Sequence, residues 1–320
     1  MTTTRAARYG IAEWFGKPAA ALSAEERSHF AKLATSSSMP RPPCPFSASL
    51  NPTAACNKKS GVCTIRRHST HSDGSVSVSD QQLVTVCPNR FLERALMLRW
   101  AGKVMLGTEH PLVVKEAPFL SKLPKEVAGD AVSDSDSGRK AGRIDWVLVH
   151  PDLTSSIRWC AVETQAMYFS GKSMGSEFLS WGTGAFGTIP FPTEVRRPDY
   201  RSSGPKRLAP QLRVKVPELR NWGAKTCVIV DRYFYDQMSS LPSVKGTNPH
   251  DKLANAEVVW LVGEYADSTH LARGDVIYAR LDESIQALNA TASVGQAAFE
   301  QILRNAIRDS KKLGVKVFKL

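Results

Sequence analysis

Asp145, Asp152, Glu163 and Gln165 fall within one stretch, IDWVLVHPDLTSSIRWCAVETQ (144–165). Three of the four could hold a metal ion, and carboxylates that converge on a cation are what a hydrolytic magnesium site needs. Mg2+ takes oxygen ligands and keeps several waters, so two carboxylates and a backbone carbonyl suffice. Such an ion lowers the pKa of a bound water and stabilises charge growing on a phosphorus centre. The stretch reads as two strands around a turn, 144–150 and 157–167, and that geometry selects between the aspartates. With the turn near 153–154, Asp145 lies beside Val162 and Glu163. Asp152 falls in the turn, opposite Ser155. Eight strand residues of ~3.3 Å each put it about 26 Å from Glu163, so it reads as a turn residue in HPDL. Glu163 and Gln165, two apart, share one strand face. Glu163 lies inside RWCAVETQAM, where a strand buried on one side does not ordinarily hold an unpaired carboxylate. The competing reading is a pair of ordinary strand-end charges.

A second constellation is sulfur. Cys44, Cys56, Cys63 and Cys87 fall in CPFSASLNPTAACNKKSGVC, a gap of twenty-three residues, then CPNRF. None of the gaps is CxxC. In a cytosolic protein such a cluster is more often a metal site than a set of disulfides. Tetrahedral sulfur suits iron and zinc alike. His68 and His71 are competing ligands, although a polar-loop histidine is more often simply exposed. Cys160 and Cys227 sit in the apolar runs IRWCAVE and KTCVIVD and are expected to be buried bystanders.

The elements that must position these residues are legible in part. ERSHFAKLA is a short helical pattern. Residues 35–88 are rich in Ser, Pro, Cys and Thr with little periodicity, a loop that needs a staple. NRFLERALMLRWAGKVML (89–106) repeats Phe91, Leu92, Ala95, Leu96 and Trp100 at helical spacing. Residues 127–142 read as a flexible acidic loop. A Gly/Ser/aromatic segment spans 170–192. A helix over 207–222 is expected to break near Pro217. Strands follow at 225–231, 257–262 and 275–281, then a helix at 293–312 and a closing strand, VKVFKL. Strands alternating with helices predict an α/β fold, a mixed sheet flanked by helices.

The 320 residues, 42% hydrophobic, suit one large domain or a core with an elaborated N-terminal subdomain. Apolar runs stop short of the ~20 residues a membrane span needs, and Met1 to Gly10 lacks the apolar core of a signal peptide. A soluble, cytoplasmic protein is expected. The net charge of +12 favours a polyanion, above all nucleic acid. Residues 41–70 hold five basic residues and no acidic one, with Lys58, Lys59, Arg66 and Arg67 as DNA-contacting candidates. Residues 196–225 hold nine Lys/Arg against Asp199 and Glu218. Arg196, Arg197, Arg201 and Arg207 are the candidates there. Arginine bidentate to guanine is the commonest base-specific contact, yet for each of these phosphate contact or a plain solvated charge is the commoner role. Residues 170–184, following the Glu163 strand, are expected to help line a DNA cleft.

Asp, seventeen residues, then Glu-x-Gln on a hairpin after a helix resembles the PD-(D/E)xK nuclease superfamily. Its usual final residue is lysine; here it is Gln165. An amide can orient the attacking water but supplies no positive charge, so activation falls on the metal or on a lysine from elsewhere, with Lys172 a candidate. Glu93 on the preceding helix is a candidate carboxylate for holding a metal ligand in place or for a second metal, and an exposed helix charge is the equal alternative. YGIAEWFG (9–16), ACNKKSGVCTI (55–65), VCPNRF (86–91), IDWV (144–147) and AVETQAMYFSG (161–171), in this order, resemble the NotI-type rare-cutting restriction endonucleases. The resemblance implies a PD-(D/E)xK core and a homodimer cutting double-stranded DNA at a GC-rich palindrome with Mg2+, leaving 5′-phosphates. It also implies a partner DNA methyltransferase. By position it implies iron on Cys44, Cys56, Cys63 and Cys87, and Mg2+ on Asp145 and Glu163 with Gln165 beside them. Four thiolates leave no open coordination position, so the iron would be structural and would fold residues 35–88, which otherwise lack a core. The expected division is residues 1–88, a loop-rich DNA-contacting region with the four-cysteine metal site, and 89–320, the nuclease core. The alternatives are a non-catalytic DNA-binding protein built on the four-cysteine metal, or a repair or mobile-element nuclease of the same fold.

Overall fold

The computed structural model describes residues 4–78, 83–119, 142–154, 156–183, 189–265, 269–290 and 295–308. Met1–Asn289 is one compact unit and Ala290–Leu320 a second. In the first unit β1 (Thr4–Trp14), β2 (Lys17–Pro18), β3 (Val62–His71), β4 (Val76–Val78) and β5 (Val84–Thr85) make one sheet, in the order β2-β1-β3-β4 with β5 on β3. Then come β6 (Leu112–Pro118), β7 (Arg143–Val149), β8 (Trp159–Thr164), β9 (Tyr168–Gly171), β10 (Arg196–Asp199), β11 (Thr226–Asp231), β12 (Val258–Tyr265) and β13 (Leu271–Ala279). β9 and β10 pair with each other, and the other six form a sheet in the order β13-β12-β11-β8-β7-β6. β8, β11 and β12 run parallel and the outer pairs antiparallel, so the sheet is mixed as expected.

The α-helices of this unit are α1 (Ala24–Thr35), α2 (Leu96–Leu106), α3 (Gly175–Thr183), α4 (Tyr200–Ser203), α5 (Ala209–Asn221), α6 (Arg232–Asp236), α7 (Pro249–Asn255) and α8 (Leu281–Asn289). α1 starts at a capping box, Ser23 with Glu26. β11 is buried at every position, as a strand covered on both faces must be. Its alternate residues join two cores. Cys227 and Ile229 pack with Met97, Leu98 and Ala101 of α2, and Val228 and Val230 with Leu212 and Val216 of α5 and Leu288 of α8. The second unit contains α9 (Gln296–Arg308), which begins three residues after the start of the helix expected over 293–312; residues 309–312 lie outside the described residues. The acidic loop falls outside the described residues except for Gly142, and VKVFKL lies wholly outside them.

Three expectations are corrected. Residues 89–106 do not form one helix: Pro88–Ala95 is a 3-10 turn, Arg94 and Ala95 take φ of 52° and 54°, and α2 begins at Leu96. Side-chain bonds from Arg90 and Glu93 hold this turn against the helical propensity of its sequence. The helix containing Pro217 runs on unbroken to Asn221. Proline removes one hydrogen bond, but Leu212, Val216 and Leu219 are buried on both sides of it, and packing holds most of a helix's stability. Residues 35–88 do have a core. β3 pairs with β1 from His71↔Thr4 to Val62↔Trp14, and Val62, Ile65, Val84 and Val86 pack with Ile11 and Trp14. The boundary expected at residue 88 is crossed by polar bonds: Thr85 N–H to Asp231 Oδ2 at 2.6 Å and Arg90 Nε to Glu13 Oε2 at 2.8 Å.

Candidate active site and its cleft

β7 and β8 pair in the register Trp146↔Val162 and Val147↔Ala161. That brings Asp145, at the start of β7, beside Glu163, at the end of β8. Asp145 Oδ2 accepts the Thr164 backbone N–H at 3.0 Å and its hydroxyl at 3.1 Å, capping β8 where the ladder stops. Asp152 is an exposed turn residue that accepts the Thr154 N–H and hydroxyl at 3.1 and 2.6 Å.

Glu163 is 1% exposed. It shares its strand face with Ala161, and across that face lies α5. Oε1 accepts from Lys215 Nζ at 2.7 Å. Oε2 is buried and has no hydrogen-bond partner of ordinary geometry among the described residues, the Asp145 backbone N–H giving the carboxylate only a weak bond. Burial first, then the neighbouring Asp145 charge, push the Glu163 pKa up to about 7, against the pull of Lys215. A buried carboxylate oxygen without a donor is costly, and a cation relieves that cost. This orphaned oxygen beside Asp145 fits Mg2+, which needs few protein ligands. Among the described residues no group of three or more His, Cys, Asp or Glu is placed to hold a metal ion, so Asp145 and Glu163 are the carboxylates available and water and backbone would complete the shell. Gln165 donates its amide N–H to the Ala166 carbonyl at 2.6 Å, which leaves its amide oxygen for a water.

The two carboxylates open on a cleft of about 830 Å³. Gln165, Tyr168, Lys172, Arg207 and Gln211 line it together with Asn57, Lys58, Val86 and Cys87. The stretch 170–184 thus contributes to the cleft through Gly171, Lys172, Ser173, Met174 and Phe178. Arg207 lies over the Tyr168 ring, 3.8 Å from its centroid, which fixes the plane of an exposed guanidinium at the cleft.

Other candidates lie elsewhere or are committed elsewhere. Glu93 is not at this site. It accepts from Arg90 Nη1 at 2.7 Å and from the Leu271 N–H at 2.9 Å, within a buried cluster with Glu13. Lys172 is 77% exposed at its side chain and pairs with Glu194 at 3.4 Å, not with Glu163. Arg196 is buried, bound to Glu177 and to the Lys172 and Ser173 carbonyls, so it is not placed to read bases. Lys58 turns inward and donates to the Val86 carbonyl. Lys59, Arg67, Arg197 and Arg201 are exposed, and Arg66 is half-buried on β3. The residue that sequence reasoning misses is Lys215. Leu212, Lys215, Val216 and Leu219 form the buried stripe of α5, and a lysine at a stripe position is the signal that points to it.

The four cysteines are reduced and buried, and all four line one cavity of about 10 Å³, roofed by Phe15, Phe46 and Lys58. That is room for a single atom or water. Gly61, φ +68°, makes the turn into Cys63; a Cβ there would meet the Phe15 ring at 2.3 Å. Cys56 and Cys63 thiols donate to the Lys58 and Gly61 carbonyls at 3.6 and 3.4 Å. As the side chains stand they are not a ligand cluster. His68 is buried on β3, contrary to the expectation of exposure, and His71 meets Ser77 Oγ at 2.7 Å. Neither lines the cysteine cavity.

Residues 29–275 match the family model of restriction endonuclease NotI. The chain belongs to the NotI restriction endonuclease family. No curated protein and no solved structure matches it. The matched span contains the NotI-family chain's four clustered cysteines, the β7–β8 carboxylates and α5. No helix among the described residues is long and apolar enough to cross a membrane.

Proposed function

We propose that this chain is a type II restriction endonuclease with a PD-(D/E)xK core, hydrolysing both strands of DNA at a GC-rich palindrome with Mg2+ and leaving 5′-phosphates. The observation that carries the reading is the Asp145–Glu163 pair: two carboxylates at the joined ends of neighbouring strands, one with a buried oxygen that no donor among the described residues fully satisfies, opening on a large cleft. Mg2+ held there would supply the acidity of a bound water and offset charge at phosphorus. Asp145 and Glu163 present the ligand oxygens, and the amide oxygen of Gln165 orients the attacking water. Arg207 at the cleft, with the exposed Arg197, Arg201, Lys59 and Arg67, neutralises phosphates, so affinity falls steeply with salt. A palindrome asks for a twofold dimer. A cytoplasmic location and pairing with a protective methyltransferase belong to the same reading, as does a DNA-contacting role for residues 1–88 beside a nuclease core from 89 onward.

For Cys44, Cys56, Cys63 and Cys87 we propose a structural metal, iron by family resemblance with zinc the alternative. Its support is the convergence of four reduced thiols on one atom-sized void. Elemental analysis and a visible thiolate-to-iron band test it; a folded, metal-free protein removes the site.

The decisive test is digestion of a GC-rich plasmid library by the purified protein with Mg2+. Discrete fragments bearing 5′-phosphates are expected, and Asp145→Asn should cut at least ~10³-fold more slowly. Intact DNA under every condition removes the nuclease reading. Undiminished cutting by Asp145→Asn removes the site.

A further inference from the structure

Gln165 stands where the superfamily pattern has a lysine, yet a lysine touches Glu163 all the same. It comes from a different element. Lys215 sits on α5 at a position flanked by the buried Leu212, Val216 and Leu219, and is itself 5% exposed. A lysine is almost never buried this deeply unless paired. Its partners are Glu163 Oε1 at 2.7 Å and Gln211 Oε1 at 3.4 Å. Fold stability is a weak account of the pair, because apolar residues of similar volume in place of a buried ion pair are often as stable or more so.

We infer that Lys215 is the positioning residue of this site: its ammonium pins Glu163 Oε1, leaves Oε2 for the cation that Asp145 shares, and supplies from α5 the positive charge that Gln165 lacks. The contrast with the other lysines at the cleft favours it. Lys172 is exposed and paired with Glu194, and Lys58 is bound to the Val86 carbonyl. Lys215 does not line the cleft, so it acts through Glu163 and not on DNA. A carboxylate held by a single oxygen cannot rotate both oxygens onto the ion or turn away from it, and such supporting contacts typically change metal affinity or activity 10–100-fold. The inference rests on the proposed nuclease reading for its consequence in cleavage, but not for its consequence in cation binding.

The experiment compares full-length wild type, Lys215→Met, Lys215→Arg and the double variant Gln165→Lys/Lys215→Met. Each is tested for thermal unfolding, for Mn2+ binding by electron paramagnetic resonance without DNA, and for single-turnover cleavage with Mg2+. Lys215→Met should bind Mn2+ and cut DNA about 10–100-fold less well. Lys215→Arg should recover most of both. The double variant should recover part of the cleavage, because a lysine at 165 shares the strand face of Glu163. A purely structural Lys215 predicts no such rescue. Wild-type Mn2+ affinity in folded Lys215→Met, or a double variant as impaired as the single one, overturns the inference. Should Lys215→Met not fold, Lys215→Gln takes its place under the same criteria. Wild type that binds Mn2+ but cuts no DNA overturns the nuclease reading instead, and the Mn2+ affinities of the variants still decide the role of Lys215.

Discussion

Two clusters of buried charge in this chain are built from the same residue types and end differently. Around Arg90 every group of the guanidinium is occupied: Nε on Glu13, Nη1 on Glu93 and Nη2 on the Thr269 carbonyl. The Phe46 and Tyr265 rings lie 4.5 and 5.3 Å from it. The Glu93 oxygen bound by Arg90 also takes the Leu271 N–H. This cluster ties β1, the turn before α2 and β13 together. At Glu163 one oxygen is matched and the other is not, and the group borders a cleft. Both Glu13 and Glu163 have their pKa raised, in each case first by burial. Burial of a carboxylate therefore does not separate structural from functional charge. The separating feature is an unmatched acceptor facing space that a ligand can enter.

The largest expected effect falls on the closed cluster. Arg90→Met leaves Glu13 and Glu93 without their counter-charge, and breaking such a buried pair costs about 3–5 kcal/mol. Urea denaturation measures it; a loss under about 1 kcal/mol, the scale of an exposed pair, would show that the cluster is not what joins these elements. A buried titratable group without a counter-charge sharpens the contrast next. His68, 1% exposed, has its pKa lowered by burial to about 4. The fold favours its neutral form, so the stabilisation is complete above the ordinary value of 6.5 and is lost as pH falls toward 4. The loss amounts to about 3 kcal/mol over that window. Denaturation curves at about pH 7 and about pH 4.5 should differ less in His68→Leu than in wild type, and parallel declines would refute the assignment. The smallest effect is at the open site's edge. Gln165→Ala removes the amide proposed to orient the attacking water and should slow cleavage about tenfold, roughly 1.4 kcal/mol, while DNA binding is retained. Unchanged cleavage would take Gln165 out of the site.

Much of the hairpin is legible in the sequence because strand geometry is local. Period-two alternation and a turn at HPDL place Asp145 beside Glu163 without further information, and the structure pairs Trp146 with Val162 accordingly. The helix expected over 89–106 fails for the opposite reason: its apolar spacing is helical, but Arg90 and Glu93 bond to residues distant in sequence, Glu13 and Leu271. Those contacts also remove Glu93 from the carboxylate pair. Residues 35–88 look coreless in the sequence because β3 carries its apolar residues only at Val62, Cys63 and Ile65, and their apolar partners, Ile11 and Trp14, lie on β1.

Residue types and local spacing by themselves determined the α/β class, the carboxylate pair, the neutral residue at 165 and the four clustered cysteines, and the resemblance of short motifs in order pointed to the family. Those properties depend on neighbours a few positions apart or on the order of short motifs. Only the tertiary structure decided which charges are committed and which are open. It buried Arg196 against Glu177, turned Lys58 inward, stacked Arg207 on Tyr168 and set Lys215 against Glu163. The physical reason is that a charge is positioned by the burial and counter-charges around it, and the fifty-one residues between Glu163 and Lys215 hide from the sequence a contact of 2.7 Å.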